Sequence, residues 1–185
     1  MKKLKKLCFF AKYLSEKGLI SGSEGNLSIK DKEGFWITPS GKIKEILEIK
    51  DLCFINWKGE AIKGAPSSEW GMHYKIYLKN SLAEAVIHTH PPFTLALSLS
   101  GFNFTSFSLP EARFLLGEIK VLPYFQPGSS ALWEFASNLA KNYKVIVLSR
   151  HGALTWGKSI EEAVNLTLIL EKLCKIEYLK KKMEG

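Results

Sequence analysis

The chain contains 185 residues, of which 46% are hydrophobic and 24% are charged, so it can bury a hydrophobic core without disulfide bonds. Its formal net charge is +8, but Arg113 and Arg150 are its two arginines, and lysines are interspersed with glutamates except near the two ends. A nucleic-acid-binding protein is expected to concentrate arginines on one basic face. We therefore expect one domain, residues 1–185, without a nucleic-acid partner.

The sequence also argues against a membrane protein. No run of residues approaches the roughly 18 consecutive apolar residues that a membrane-spanning helix needs. Cys8, Cys53 and Cys174 are odd in number and widely separated, a pattern typical of reduced thiols in the cytoplasm. We expect a cytoplasmic protein without a membrane partner.

The first half of the chain alternates between helical and strand patterns. Apolar residues at helical spacing predict a helix from about Leu4 to Lys17, which ends at Gly18. Alternating apolar residues and intervening turns then predict a hairpin and a further strand, over residues 26–30, 35–38 and 52–57. A second helix is predicted from about Ser68 to Lys79.

The second half begins with a buried strand at residues 85–90, which Pro91 and Pro92 end before a helix through about Ser98. Two further strands are predicted over 119–124 and 145–148, separated by a helix that Ser129 and Ser130 cap and that runs to about Asn142. A capping box at residues 159–162 begins the last helix, which continues to about Lys182. Hairpins mixed with helices predict one mixed sheet covered by helices on both faces.

Three of the four histidines follow predicted core strands. His88 and His90 lie two residues apart, so both side chains point to the same face of their strand. His151 follows the apolar run 145–148. Neutral histidine is the commonest metal ligand, and three imidazoles without a fourth protein ligand leave the open position of a catalytic zinc site. The alternative is that three unrelated histidines happen to lie at strand ends.

A second polar stretch, Ser67-Ser68-Glu69, lies at the start of the second predicted helix. The free N–H groups of a helix start, together with two hydroxyls, can bind a phosphate. The turn at Ser40 and Gly41 can add another hydroxyl and a close backbone N–H. The alternatives are ordinary ones: the serines cap the helix, Glu69 complements its dipole and the turn has no ligand.

Together these segments resemble the class II aldolase/adducin family, most closely its L-fuculose-1-phosphate aldolase branch. The motifs that carry the resemblance occur in the family's order along nearly the whole chain: Gly25-Asn26-Leu27-Ser28, Ile37-Thr38-Pro39-Ser40-Gly41, Pro66-Ser67-Ser68-Glu69-Trp70, His88-Thr89-His90 and His151-Gly152. Each motif is weak alone, whereas five in one order are specific.

The resemblance implies a three-layer α/β/α sandwich around a central mixed, largely antiparallel sheet, in a homotetramer with active sites at subunit interfaces. It implies one zinc ion, or another divalent ion, per subunit. The implied metal ligands are His88, His90 and His151, and the implied acid/base is Glu69. The residues implied to bind the substrate phosphate are Asn26, Ser40, Gly41, Ser67 and Ser68. The implied reaction cleaves a phosphorylated ketose into dihydroxyacetone phosphate and an aldehyde through a metal-stabilised enediolate.

Other members of the family would use the same groups differently. A methylthioribulose-1-phosphate dehydratase and a pentulose-phosphate 4-epimerase are alternatives, as is a non-catalytic domain like that of adducin, in which the metal ligands are lost. Fuculose aldolases place a tyrosine of the neighbouring subunit near the aldehyde, and this sequence has Leu109 at that position. Glu111 or Arg113 is a candidate substitute, although we favour a surface role for both. His73 lies four residues after Glu69, on the same helix face; we expect it to have a packing role, and the alternative is a partner that supports the site residues.

Overall fold

In a computed structural model, residues 1–184 are described, and they form an eight-stranded sheet with helices on both faces. The predicted α/β/α architecture and its largely antiparallel sheet are confirmed. The predicted domain end at Gly185 lies outside the described residues.

Nearly all neighbouring strands of the sheet are antiparallel. Its strands run in the spatial order β4-β3-β2-β1-β5-β8-β7-β6, and every neighbouring pair is antiparallel except β6 and β7. In chain order the strands are β1 (Asn26–Lys30), β2 (Gly34–Ile37), β3 (Cys53–Asn56), β4 (Ala61–Lys63), β5 (Ala85–Thr89), β6 (Ile119–Leu122), β7 (Val145–Leu148) and β8 (Gly152–Gly157).

Six α-helices lie within the described part of the chain, together with two short 3-10 helices, Lys44–Ile46 and Ile49–Asp51. The α-helices are α1 (Lys2–Glu16), α2 (Trp70–Lys79), α3 (Pro92–Leu99), α4 (Glu111–Leu116), α5 (Ser130–Leu139) and α6 (Ile160–Glu184). None of the helices within residues 1–184 is long and apolar enough to cross a membrane.

The central strand β5 shows how the core divides between the two faces of the sheet. Val86 packs in a cluster with α2 and α5, while Ala85 and Ile87 pack in another cluster with α1 and the start of α6. Since strand side chains alternate, His88 lies on the same face as Val86, towards α2. A third cluster joins α3, α4 and the middle of α6 to β7 and β8.

Two strands, helix α4 and one helix start differ from the sequence predictions, which placed no helix between residues 98 and 119. β4 is a fully exposed edge strand, and β8 begins and ends with glycine, a residue that is depleted in strands, so neither was predicted. Helix α2 begins at Trp70 rather than Ser68: the Ser67 N–H donates to the Thr38 carbonyl (3.3 Å), and Ser68 and Glu69 form a turn before the helix.

Candidate active site

Three histidines converge at the centre of the sheet. His88 lies in β5, His90 follows the end of β5, and His151 lies in the tight turn that connects β7 to β8. One ring nitrogen from each residue lies within 4.8 Å of the other two. His88 Nε2 and His90 Nε2 lie 3.0 Å apart.

The turn that carries His151 is built for close approach. Leu148 pairs with Gly152, which leaves three residues for the turn, and Arg150 takes the left-handed conformation with φ of 59°. A Cβ atom on Gly152 would lie 2.3 Å from the Thr89 carbonyl oxygen and 2.8 Å from His90 Cδ2. Only glycine therefore allows this turn to pack against the strand that carries the other histidines.

Hydrogen bonds orient two of the rings. His88 Nδ1 lies 3.0 Å from the Ala153 carbonyl oxygen and donates to it, so Nε2 faces the cluster. Burial opposes a charge on this ring, but the Glu69 carboxylate beside Nε2 raises the pKa of His88, so a bound cation would take the place of a proton on Nε2. His90 Nδ1 similarly donates to Glu24 Oε2 at 2.9 Å. Carboxylates and carbonyls behind metal-binding histidines commonly fix the tautomer in this way.

Glu69 lies at the start of α2 and faces the histidines. It is 6% exposed, and its carboxylate oxygens lie 3.0 Å from His88 Nε2 and 3.4 Å from His151 Nε2. Burial alone would raise the pKa of this carboxyl, but His88 and His151 lower the pKa to well below its usual range. Glu69 is thus ionised beside the histidine cluster at neutral pH.

The donor set fits a divalent metal ion. Burial and the neighbouring His88 lower the pKa of His151 to about 4, so its ring is neutral and able to donate a lone pair at pH 7. Glu69 Oε1 and His151 Nδ1 are buried and have no hydrogen-bond partner among the described residues. Three imidazoles beside an ionised carboxylate could therefore hold a cation in this pocket.

Two loops meet next to this pocket. The Ser40 N–H donates to the Ala65 carbonyl at 3.1 Å, and Pro39 and Pro66 form an isolated β-bridge. These contacts bring the predicted phosphate-binding residues of the two loops together: Ser40, Gly41, Ser67 and Ser68. Ser40, Gly41 and Ser68 are exposed, while Ser67 is buried and accepts a 3.4 Å hydrogen bond from the Glu69 N–H.

Asn26 differs from the other four predicted phosphate-binding residues in where its side chain lies. It is 2% exposed, and its amide contacts Glu69 and His73 instead of facing the two loops. Both polar atoms of this side chain therefore already have protein partners.

Sequence reasoning missed two residues of the site. Glu24 accepts the hydrogen bond from His90. It lies in a loop of small residues, and this glycine-rich surrounding was the one feature of the sequence that could have indicated a role in the site. Lys44 is fully buried and donates to the carbonyls of Ser23 (2.8 Å) and Lys42 (3.0 Å), which ties the Glu24 loop to the Ser40 loop. Burial lowers the pKa of Lys44 to about 8; no sequence pattern distinguishes it from the surface lysines.

The region around Leu109 forms a separate cavity of about 370 Å³, lined mainly by aromatic and apolar side chains. Leu109 and Arg113 line it, and neither Glu69 nor any of the three clustered histidines is among the lining residues described. Glu111 and Arg113 are exposed on α4, which agrees with a surface role for both residues in this chain.

The chain matches a known family over nearly its whole length. The family described as class II aldolase and adducin N-terminal domain matches residues 5–178. The chain therefore belongs to this family, as the motifs predicted, and it is an enzyme of the class II aldolase type.

Individual relatives align with this chain over most of their length. An L-fuculose phosphate aldolase of Methanococcus maripaludis is 36% identical, with 90% of this chain and 91% of the relative covered. A 3-oxo-tetronate 4-phosphate decarboxylase of Pectobacterium atrosepticum is 31% identical, with 89% and 78% covered. The crystal structure of L-fuculose-1-phosphate aldolase from Thermus thermophilus matches with a TM-score of 0.91 at 27% identity, with 100% of this chain and 97% of that chain covered.

Proposed function

We propose that this chain is a zinc-dependent aldolase that cleaves a phosphorylated ketose of the L-fuculose-1-phosphate type into dihydroxyacetone phosphate and an aldehyde. His88, His90 and His151 are the proposed metal ligands. The observation that carries the proposal is the convergence of three imidazoles on one buried carboxylate, beside two serine-bearing loops. Similarity to the Methanococcus aldolase supports the substrate class.

An ion held by His88, His90 and His151 would supply Lewis-acid chemistry, the stabilisation of negative charge on substrate oxygens. Glu69 is the proposed proton carrier. It is ionised, buried and held 3.0 Å from His88, so its carboxylate can take up a proton from a substrate hydroxyl or carbon and return it later. Because the Glu69 carboxyl is buried, a proton bound to it is shielded from solvent water.

The two loops that carry Ser40 and Ser68 form the proposed phosphate-binding site. Ser40, Gly41 and Ser68 are exposed, and their hydroxyl and N–H groups can donate to phosphate oxygens without first breaking a buried contact. We include Ser67 and Asn26 in this site, with Asn26 acting from within the pocket, where its amide also contacts Glu69. Phosphate held here anchors the unreactive end of the substrate and orients its reacting end.

The direct test is aldol synthesis. Zinc-loaded protein is incubated with dihydroxyacetone phosphate and a panel of aldehydes, and we expect a ketose phosphate product that disappears on addition of a chelator. The Glu69→Gln variant should keep its metal and lose at least ~100-fold in kcat. Glu134→Gln is the matched control, since Glu134 is a half-buried carboxylate outside the site, paired with Lys75 and Lys79. Absence of product with every aldehyde would contradict the proposal.

A phosphorylated 3-oxo acid is the second candidate substrate, favoured by the Pectobacterium relative and by Leu109 in place of the expected tyrosine. Loss of carbon dioxide from such a substrate also leaves negative charge on a substrate oxygen, which an ion held by the three histidines would stabilise. Release of carbon dioxide from 3-oxo-tetronate 4-phosphate, without aldol product in the panel, would favour this candidate.

We further propose a homotetramer in the cytoplasm, with each site completed by a neighbouring subunit. A groove of about 490 Å³ opens beside His90 and His151, and its wall includes Leu95, Arg150 and Leu99, which is 67% exposed. Exposed apolar side chains at a site entrance support contact with another chain. The three cysteines are free thiols, which supports the compartment. Light scattering on the purified enzyme, with a mass of one chain, would contradict the tetramer.

A further inference from the structure

A chain of buried hydrogen bonds extends from Glu69 into the protein, away from the histidine cluster. Asn26 Nδ2 lies 3.3 Å from Glu69 Oε2, and Asn26 Oδ1 lies 2.5 Å from His73 Nε2. On the other side of the imidazole, His73 Nδ1 lies 2.7 Å from Ser28 Oγ, which lies 2.7 Å from the Tyr77 hydroxyl. The five residues come from β1 and α2 and from the residue that precedes α2.

The Asn26 amide determines the direction of every bond in this chain. Its Nδ2 donates to Glu69 Oε2, and its Oδ1, which can only accept, faces His73 Nε2. His73 Nε2 must then carry the proton, and in a neutral ring Nδ1 accepts from Ser28. The Ser28 oxygen accepts in turn from the Tyr77 hydroxyl, which ends the chain as its last donor.

The surroundings of this chain leave little freedom for another arrangement. Ser28 and His73 are fully buried, and Asn26, Tyr77 and Glu69 are at most 6% exposed. Burial lowers the pKa of His73 to about 3, so its ring stays neutral. A reversed Asn26 amide would place its oxygen against the Glu69 carboxylate and leave buried donors without partners, which is costly in a buried network.

We propose that His73 is a positioning residue for Glu69: its Nε2–H holds the Asn26 amide in the one orientation that donates to the carboxylate. Ser28 and Tyr77 fix the tautomer of His73 and so act one step further away. The catalytic part of this proposal rests on the proposed role of Glu69, whereas the tautomer of His73 does not. The role differs from the packing role that the sequence suggested for His73.

The tautomer is measured first, by proton–nitrogen NMR correlation of the histidine rings in the full-length protein. We expect His73 to show a protonated Nε2 and an unprotonated Nδ1, and the Nδ1 resonance to move in the Ser28→Ala variant. A proton on Nδ1 would overturn the proposal. This measurement needs no activity, so its outcome is independent of the reaction that the enzyme catalyses.

The kinetic test compares two substitutions of His73 in the zinc-loaded enzyme. His73→Leu removes the donor to Asn26 and should lower kcat by ~10- to 100-fold, with KM for dihydroxyacetone phosphate changed less than about 2-fold. His73→Gln retains an N–H donor near Nε2 and should restore kcat to within about 3-fold of wild type. A merely structural role would give the two variants similar losses or would change KM and kcat together, and either result would overturn the proposal.

Tyr74→Phe is the matched control, because Tyr74 lies on the same helix and donates its hydroxyl to the Trp57 carbonyl at 2.9 Å, outside this chain of hydrogen bonds. It should leave kcat unchanged. If His73→Leu does not fold, Tyr77→Phe and His73→Gln provide the comparison: the tautomer readout must respond to Tyr77→Phe. Full activity of Glu69→Gln would instead overturn the proposed catalytic role of Glu69 while the tautomer result stands.

Discussion

The two sides of the candidate site are built differently. Behind Glu69, the side chains of Asn26, His73 and Ser28 are buried and joined by hydrogen bonds between β1 and α2. On the phosphate side, Ser40 and Ser68 are exposed on loops whose backbones pair with each other. The buried side therefore holds its geometry without a ligand, whereas the loop side presents free donors to one.

This difference divides the expected effects of substitution. Changes on the buried side should alter the stability of the protein or the geometry of the reacting groups, because each buried polar atom depends on a partner. Changes on the loop side should alter substrate affinity and leave the fold intact. Substitutions on each side can test that division, beginning with the one of largest expected effect.

Gly152→Ala should disable the histidine cluster that Glu69 faces. The added Cβ would meet the Thr89 carbonyl oxygen at 2.3 Å and His88 Cε1 at 3.0 Å, so the turn that carries His151 must move away from β5. We expect loss of bound metal and at least a ~100-fold loss in kcat/KM, measured by metal analysis and aldol assay.

Gly101→Ala is the control for Gly152→Ala. A Cβ at Gly101 would meet nothing within 4 Å, although φ of 71° adds strain to the backbone of about 1 kcal/mol. This variant should be slightly less stable and fully active. Equal metal content and activity in both variants would show that the histidines do not depend on the close approach at Gly152.

The buried His73 should make the protein sensitive to acid. Its pKa is about 3 in the folded protein and 6.5 as a free side chain, so between these values the unfolded state binds a proton that the folded state does not. Stability is complete above pH 6.5 and falls as pH decreases, by about 2 kcal/mol at pH 5 from this residue. Denaturant unfolding at pH 8 and pH 5 measures the loss.

The variant His73→Gln separates this contribution from those of the other histidines. It has no titrating ring at this position, so its loss of stability between pH 8 and pH 5 should be about 2 kcal/mol smaller than that of the wild type. Identical pH dependence in the two proteins would contradict a neutral, buried His73.

Ser68→Ala should have the smallest effect and should act through substrate binding alone. Loss of one hydroxyl donor to a charged phosphate should raise KM for dihydroxyacetone phosphate about 10-fold. The melting temperature, the metal content and kcat should not change, because Ser68 is exposed. Ser81→Ala, at another exposed serine, is the control. A loss of stability in Ser68→Ala would remove the distinction between the two sides of the site.

The fold and the histidine cluster were largely predictable because they depend on local patterns. The alternation around His88 and His90 specifies a strand and a shared face, and the structure has both. The apolar run before His151 predicted its strand correctly, but not the turn that returns directly into β8. A strand that begins and ends with glycine carries little β-propensity of its own and is specified by its neighbours in the sheet.

The contacts behind the site could not be predicted in the same way. His73 follows Glu69 by four residues, and helical spacing places them near each other, but its hydrogen-bond partners Asn26 and Ser28 lie on a strand more than forty residues earlier. Glu24 contacts His90 across a still larger separation of 66 residues. Such contacts depend on how α2 and the loops pack onto the sheet, which no local pattern specifies.

The central claim is that His88, His90 and His151 together hold one divalent ion. Its most direct test is the metal content per chain of zinc-reconstituted wild-type protein, His90→Ala and His73→Gln after removal of free metal. We predict one ion per chain in the wild type and in His73→Gln, the fourth histidine serving as the matched control, and almost none in His90→Ala. Metal-free wild type, or full metal content in His90→Ala, would contradict the claim.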